Sequence, residues 1–176
     1  MTKIINLYGG PGIGKSGIAA GVFSKMKTNH MQVEFATEVA KDYVWEERFN
    51  ILKHDQLIIF AKSHRNIDRL RNRVDYVITD CPLLMHVVYL PKICYKGLKP
   101  LIVEASLSFE NINIVLTRSD NVVHTEIGRY HNEEESRILD KKIMRILDMY
   151  DPNYSIIPVD DYSVETILNL LDLPYK

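Results

Sequence analysis

Near the N-terminus, the residues Gly9-Gly10-Pro11-Gly12-Ile13-Gly14-Lys15-Ser16 follow the spacing G-x-x-x-x-G-K-S/T. Each residue type in that pattern has a use in holding phosphate. Glycine permits positive φ, so the backbone along Gly10, Pro11, Gly12, Ile13 and Gly14 can turn its N–H groups inward around a β- and a γ-phosphate. Lys15 adds a mobile positive charge, and the Ser16 hydroxyl can ligate Mg²⁺. A helix that begins at the loop would add its positive end. This Walker A pattern predicts a site for ATP with Mg²⁺. The plain alternative is a glycine-rich turn with a fortuitous lysine. Context argues against it, because an apolar run precedes the loop and a small-residue segment with Gly17, Ala19, Ala20 and Gly21 follows it.

Other residues could complete a site around such a loop. Asp80 closes the apolar run Tyr76-Val77-Ile78-Thr79, which would place it at the carboxyl edge of a sheet, where ligands of open α/β folds bind. A carboxylate there can hold Mg²⁺ through water or accept the proton of an acceptor hydroxyl; otherwise it starts a turn before Cys81-Pro82. Glu38 and Asp42 lie four apart, on one face of a predicted helix, although Glu38 also suits a helix start on electrostatic grounds alone. Whether Asp80 or Glu38 would be the base is open at this level. Leu57, Phe60, His64 and Ile67 form a stripe that serves a core as readily as an acceptor site. Lys62, Arg65, Arg69 and Arg73 form a basic row, suited to solvent or to an acceptor phosphate or nucleic-acid backbone. Tyr43 and Trp45, beside the acidic pair, are candidates for stacking on a base.

The elements that must position these residues read as alternating strands and helices. Apolar runs predict strands at 3–8, 32–36, 75–79, 112–116 and 155–159. Helical periodicity predicts helices at 15–27, 38–47, 55–72, 98–109, 133–150 and 164–171. Continuous apolar character, as in Tyr76-Val77-Ile78, suits strands covered on both faces, and the alternation implies a parallel α/β sheet. Pro82, Pro91 and Pro100 break the stretch 81–100 into pieces too short to read.

The chain has 176 residues, of which 46% are hydrophobic and 26% charged, the balance of a soluble globular domain. A formal net charge of -1 provides no global attraction to nucleic acid. Two cysteines, Cys81 and Cys94, make neither a disulfide framework nor a zinc-ligand spacing. With no signal peptide or apolar span in view, a cytoplasmic setting and no membrane partner are expected.

These features resemble the nucleoside and nucleotide kinase branch of P-loop proteins. The likeness is nearest to the nicotinamide-riboside kinase domain of NadR-type proteins and to related AAA-class ATP-binding proteins, many of them short and phage-encoded. It rests on the loop, on Thr37-Glu38-Val39-Ala40-Lys41-Asp42-Tyr43-Val44-Trp45-Glu46, on Asp75-Tyr76-Val77-Ile78-Thr79-Asp80 and on the segment from Arg118 to Arg129. It implies one domain over residues 1–176, with strand order 2-3-1-4-5 and a lid around 118–132 whose Arg118 and Arg129 close on the phosphates. Glu38 and Asp42 would hydrogen-bond a ribose or act as base. A shorter likeness to thymidylate kinases, over Leu57-Ile58-Ile59-Phe60-Ala61-Lys62-Ser63-His64-Arg65, implies base contacts from Phe60 and Arg65. The expected partners are ATP and a nucleoside- or nucleotide-like acceptor, with room for a homodimer. A hydroxymethylated pyrimidine in phage DNA is a second acceptor class, the cytoplasm then being the host's. An ATPase switch acting on a protein partner is a third reading, though Cys81 stands where a water-activating glutamate would follow Asp80.

Overall fold

The computed structural model describes residues 1–118 and 133–173. Five parallel strands, β1 (Lys3–Tyr8), β2 (Val33–Ala36), β3 (Tyr76–Thr79), β4 (Glu110–Thr117) and β5 (Tyr154–Pro158), form one sheet in the order β2-β3-β1-β4-β5, as expected. β1 is central. It pairs with β3 from Lys3↔Tyr76 to Asn6↔Thr79 and with β4 from Lys3↔Glu110 to Tyr8↔Val115. Alternation along β1 divides the core into two layers. Ile5 and Leu7 join the cluster filled by α1 (Lys15–Thr28) and α8 (Ser163–Leu170). Ile4 and Tyr8 join the cluster filled by α4 (Gln56–Asp68), α5 (Met85–Val88), α6 (Leu98–Leu107) and α7 (Glu133–Tyr150). Helices on both faces cover the central strands, which is why runs such as Tyr76-Val77-Ile78 are apolar.

One polar seam crosses this core. Asn6 Nδ2 donates to Asn111 Oδ1 at 2.9 Å and to Asn113 Oδ1 at 3.0 Å, and Asn6 and Asn113 are register partners. A one-residue slip of β4 would carry these amides to the opposite, apolar layer, so the seam pins the register that brings both strand ends to the same edge.

The helices differ from expectation where chain geometry intervenes. The predicted helix 38–47 is only α2 (Ala40–Trp45). Glu47 turns left-handed at φ 55, and Arg48 N–H donates to the Tyr43 carbonyl at 2.9 Å, closing the helix as a Schellman motif does. The predicted helix 55–72 ends at Asp68, before Asn72 at φ 59. Asp55 caps its start, its Oδ1 accepting the Ile58 N–H at 3.3 Å. Two short helices, α3 (Phe49–His54) and α5, were not expected, because fewer than two turns show no readable period. Among the described residues, no helix is long and apolar enough to cross a membrane.

Candidate active site

The chain leaves β1 at Tyr8, loops through residues 9–14 and starts α1 at Lys15, with Gly14 as N-cap at φ 98. Gly9 at φ 149 and Gly12 at φ 87 also take positive φ, which is cheap only for glycine. Lys15 Nζ curls back to donate to the carbonyl oxygens of Gly9 at 2.7 Å and Gly10 at 3.0 Å. Gly10 is held to glycine by space rather than by φ. A Cβ there would lie 2.6 Å from both Asp140 Oδ1 and the Ser136 carbonyl oxygen, two positions on α7. Gly10→Ala is therefore expected to push α7 off the loop and destabilise the fold by about 1–3 kcal/mol, read as a lowered urea midpoint. A midpoint equal to wild type would show that α7 does not press on the loop.

Opposite the loop, β3 delivers Asp80 at the carboxyl edge of the sheet. Thr79 Oγ1 accepts the Cys81 N–H at 3.1 Å, turning the chain immediately after the strand. The Ser16 hydroxyl donates to Asp80 Oδ2 at 2.6 Å. Asp80 is 4% exposed, and its Oδ1 is buried without a hydrogen-bond partner. A buried carboxylate oxygen left unpaired is costly unless something else satisfies it. A hydroxyl and a carboxylate side by side are the hard oxygen donors that Mg²⁺ takes, so these residues fit the ion expected at the loop.

A cavity of about 430 Å³ runs outward from the loop. Pro11, Gly12, Lys15 and Ser16 form one end, and Glu38, Gln56, Ile59, Met85, His86 and Tyr89 line the rest, with Lys41 and Lys53 also contributing. Burial pushes the Cys81 thiol well above its ordinary range, the Glu38 and Asp80 carboxylates add to the rise, and Lys15 opposes it. Cys81 is thus an inert neutral wall of the cleft rather than a thiolate. The Tyr89 hydroxyl is raised by burial and then by Glu38, Cys81 and Asp140, and stays protonated.

Burial lowers His86 to about 4, and its Nε2 lacks a partner. The folded chain therefore holds His86 neutral at a pH where an unfolded histidine is charged. The sign follows: His86 costs no stability above pH 6.5, and its penalty grows as pH falls toward about 4, reaching about 3 kcal/mol. His86→Leu should lose less stability than wild type between pH 7 and pH 4.5 in urea titrations. Equal losses would place the titration elsewhere.

The cleft gathers Pro11, Gly12, Gly14, Lys15 and Ser16 beside Glu38 and Asp80, while the Ile13 side chain is buried in the core cluster with α1 and other candidates lie apart. Because α2 starts at Ala40, Glu38 precedes the helix and does not share a helical face with Asp42. Asp42 lines a second cavity of about 480 Å³ together with Tyr43, Lys62 and Arg65. Arg65 is nine positions beyond Gln56 on α4, about half a turn round from the cleft-facing side. Phe60 is 5% exposed and packs against His64 and His86 at ring distances of 6.0 and 5.8 Å, in the core rather than on the cleft wall. Trp45 is exposed. In the basic row, Lys62 Nζ donates to Tyr43 Oη at 2.7 Å. Arg118 reaches the loop, its Nη2 donating to the Pro11 carbonyl at 2.8 Å and its Nε to Asp140 Oδ2 at 2.9 Å. Arg129, with most of the segment 118–132, lies outside the described residues. Sequence reasoning missed Asp140, Gln56 and His86. The signal for Asp140 was an acid on the inward stripe of α7, next to buried Ser136, Leu139 and Ile143.

A family model described as an AAA domain matches residues 4–165. The chain belongs to this AAA-domain family. Solved structures agree on the fold of this AAA-domain protein. The NadR protein in complex with NR superimposes at a TM-score of 0.68 with 18% identity, over 99% of this chain and 53% of that one. NadR in complex with NAD and AMP-PNP gives 0.66 and 19%, over 99% and 51%. The deoxyadenosine kinase from M. mycoides, with products dCMP and a flexible dCDP bound, gives 0.61 and 17%, over 96% and 98%. The chain thus spans about half the length of the NadR chains it matches. Among the curated proteins none matches it. The fold is that of P-loop kinases, with the sheet order expected for them.

Proposed function

We propose that this AAA-domain protein transfers the γ-phosphoryl group of ATP to a hydroxyl of a nucleoside-like acceptor, residues 1–176 working as one domain with a lid near 118–132. The observation that carries the reading is the pairing of Ser16 with the buried, half-satisfied Asp80 at the loop end of a cavity of about 430 Å³. Loop amides and the Lys15 ammonium would hold the β- and γ-phosphates, the ammonium leaving the carbonyls of Gly9 and Gly10. Ser16 and Asp80 would hold Mg²⁺, which when bound supplies positive charge against the phosphate oxygens. With Asp80 given to Mg²⁺, Glu38, which lines the same cleft, takes the role of proton acceptor for the acceptor hydroxyl. That hydroxyl oxygen bonds to the γ-phosphorus as the bond to the β–γ bridging oxygen breaks, and ADP leaves. Arg118, and Arg129 from the lid, would stabilise the charge that develops. Catalysis of this kind is positioning and electrostatics more than covalent chemistry.

Incubation with radiolabelled γ-phosphate ATP tests this against a panel of nucleosides, their monophosphates, nicotinamide riboside, and DNA with normal or hydroxymethylated pyrimidines. Label on a small molecule names the acceptor and supports the reading. Label on DNA alone would move the acceptor to a hydroxymethylated base and make the exposed lysines Lys41 and Lys53 its approach. Free phosphate with no labelled acceptor would overturn the kinase in favour of an ATPase acting on a protein partner.

A further inference from the structure

We propose that Asp140 is the positioning residue that fixes Arg118 against the phosphate-binding loop, and thereby sets how far the protein prefers a nucleoside triphosphate over a diphosphate. The inference rests on the nucleotide-binding reading above and deepens it. One carboxylate makes both ends of the link: Oδ1 accepts the Gly10 N–H at 2.6 Å, and Oδ2 accepts Arg118 Nε at 2.9 Å. Arg118 completes a closed circuit by donating Nη2 to the Pro11 carbonyl at 2.8 Å. Three elements meet here, the loop after β1, the end of β4 and the inward face of α7. The Ser136 carbonyl on the same helix lies where a Gly10 side chain would begin, so α7 sits directly on the loop. The Arg118 side chain is 10% exposed, and an ion pair so sheltered is weakly screened.

The geometry matters because a guanidinium is a planar fork. Nε and one Nη2 N–H are committed to Asp140 and Pro11, which fixes the plane of the guanidinium beside the loop and would leave its remaining N–H groups for a γ-phosphate seated there. Asp140 stands behind Arg118 and does not itself meet phosphate, whose charge it would repel. Its contribution is to hold the guanidinium still before the nucleotide arrives.

Asp140→Asn separates this role from simple packing. The amide keeps the size of the carboxylate and one acceptor oxygen for Gly10 N–H, but turns an NH₂ toward Arg118 Nε, donor against donor. Calorimetric titration with Mg·ADP and Mg·AMP-PNP reads the result with no acceptor needed. The variant should lose about tenfold in affinity for AMP-PNP and less than about twofold for ADP. Arg118→Ala should show the same selective loss, and the double variant no more than Arg118→Ala alone. Losses equal for the two nucleotides, absent for both, or multiplying in the double variant would overturn the proposal. If Asp140→Asn does not fold, Arg118→Lys carries the test, because an ammonium lacks the planar fork that meets Asp140 and Pro11 through separate nitrogens. A wild-type chain that binds neither nucleotide would overturn the nucleotide reading itself, and that result is distinguished by coming before any substitution.

Discussion

Lys15→Ala should reduce phosphoryl transfer by about 10³-fold, the loss seen when a preorganised charge donor is removed from a developing oxyanion. In the structure the ammonium is satisfied by two loop carbonyls, at 2.7 and 3.0 Å. A phosphate carries full negative charge where a carbonyl offers only a dipole, so incoming phosphates draw the lysine off the carbonyls. Without it the loop retains only amide dipoles against several negative charges. The side chain is half-buried and packs no core cluster, so the melting temperature should scarcely move. Labelled transfer and ATP titration on the same preparation check this. Transfer within about tenfold of wild type would mean that the loop does not carry the chemistry.

The second large effect is a separation of stability from activity at Asp80. Asp80→Asn keeps the shape of a side chain that is 4% exposed and retains an oxygen for the Ser16 hydroxyl. It removes a buried negative charge whose Oδ1 has no partner, a group that costs free energy when buried unpaired. The variant should be as stable as wild type or more stable by about 1 kcal/mol. Its transfer rate should fall by about 10²-fold, and the Mg²⁺ concentration needed for half-maximal rate should rise, as when a metal site loses an orienting carboxylate. Thermal melts and a Mg²⁺ titration of activity decide the matter. A destabilised variant with normal Mg²⁺ response would make Asp80 a structural residue that only pairs with Ser16.

Much of the architecture was legible because it is written in short-range terms. A strand ending in a glycine-rich loop and a lysine is a local pattern, and β1, the loop and α1 stand where that pattern puts them. α7 spans the 18 residues its periodicity predicts, since a long amphipathic helix states its own phase many times over. Strand positions were readable for the same reason, the central strands being largely apolar and covered on both faces. What failed was the extrapolation of regular geometry past the point where the chain stops being regular. Glu38 and Asp42 share a face only if the helix already runs at Glu38, and it does not. Phe60, His64 and Arg65 lie on one helix whose faces the sequence distinguishes but does not assign.

By itself, then, the sequence determined the end of the cleft where the proposed donor would sit: a glycine-rich loop with Lys15 and Ser16 at the carboxyl edge of a parallel sheet, with Asp80 at the end of a neighbouring strand. Those features depend on residue types a few positions apart, and local sterics suffice to set them. Tertiary structure alone decided which helix faces look into the cleft, brought Gln56 and His86 to its wall and turned Arg65 and Asp42 to another cavity. It also placed Asp140 against Gly10, 130 positions away along the chain. The physical reason is that a helix states its own phase but not its rotation against its neighbours. That rotation is set by packing between layers, which no short stretch of sequence contains.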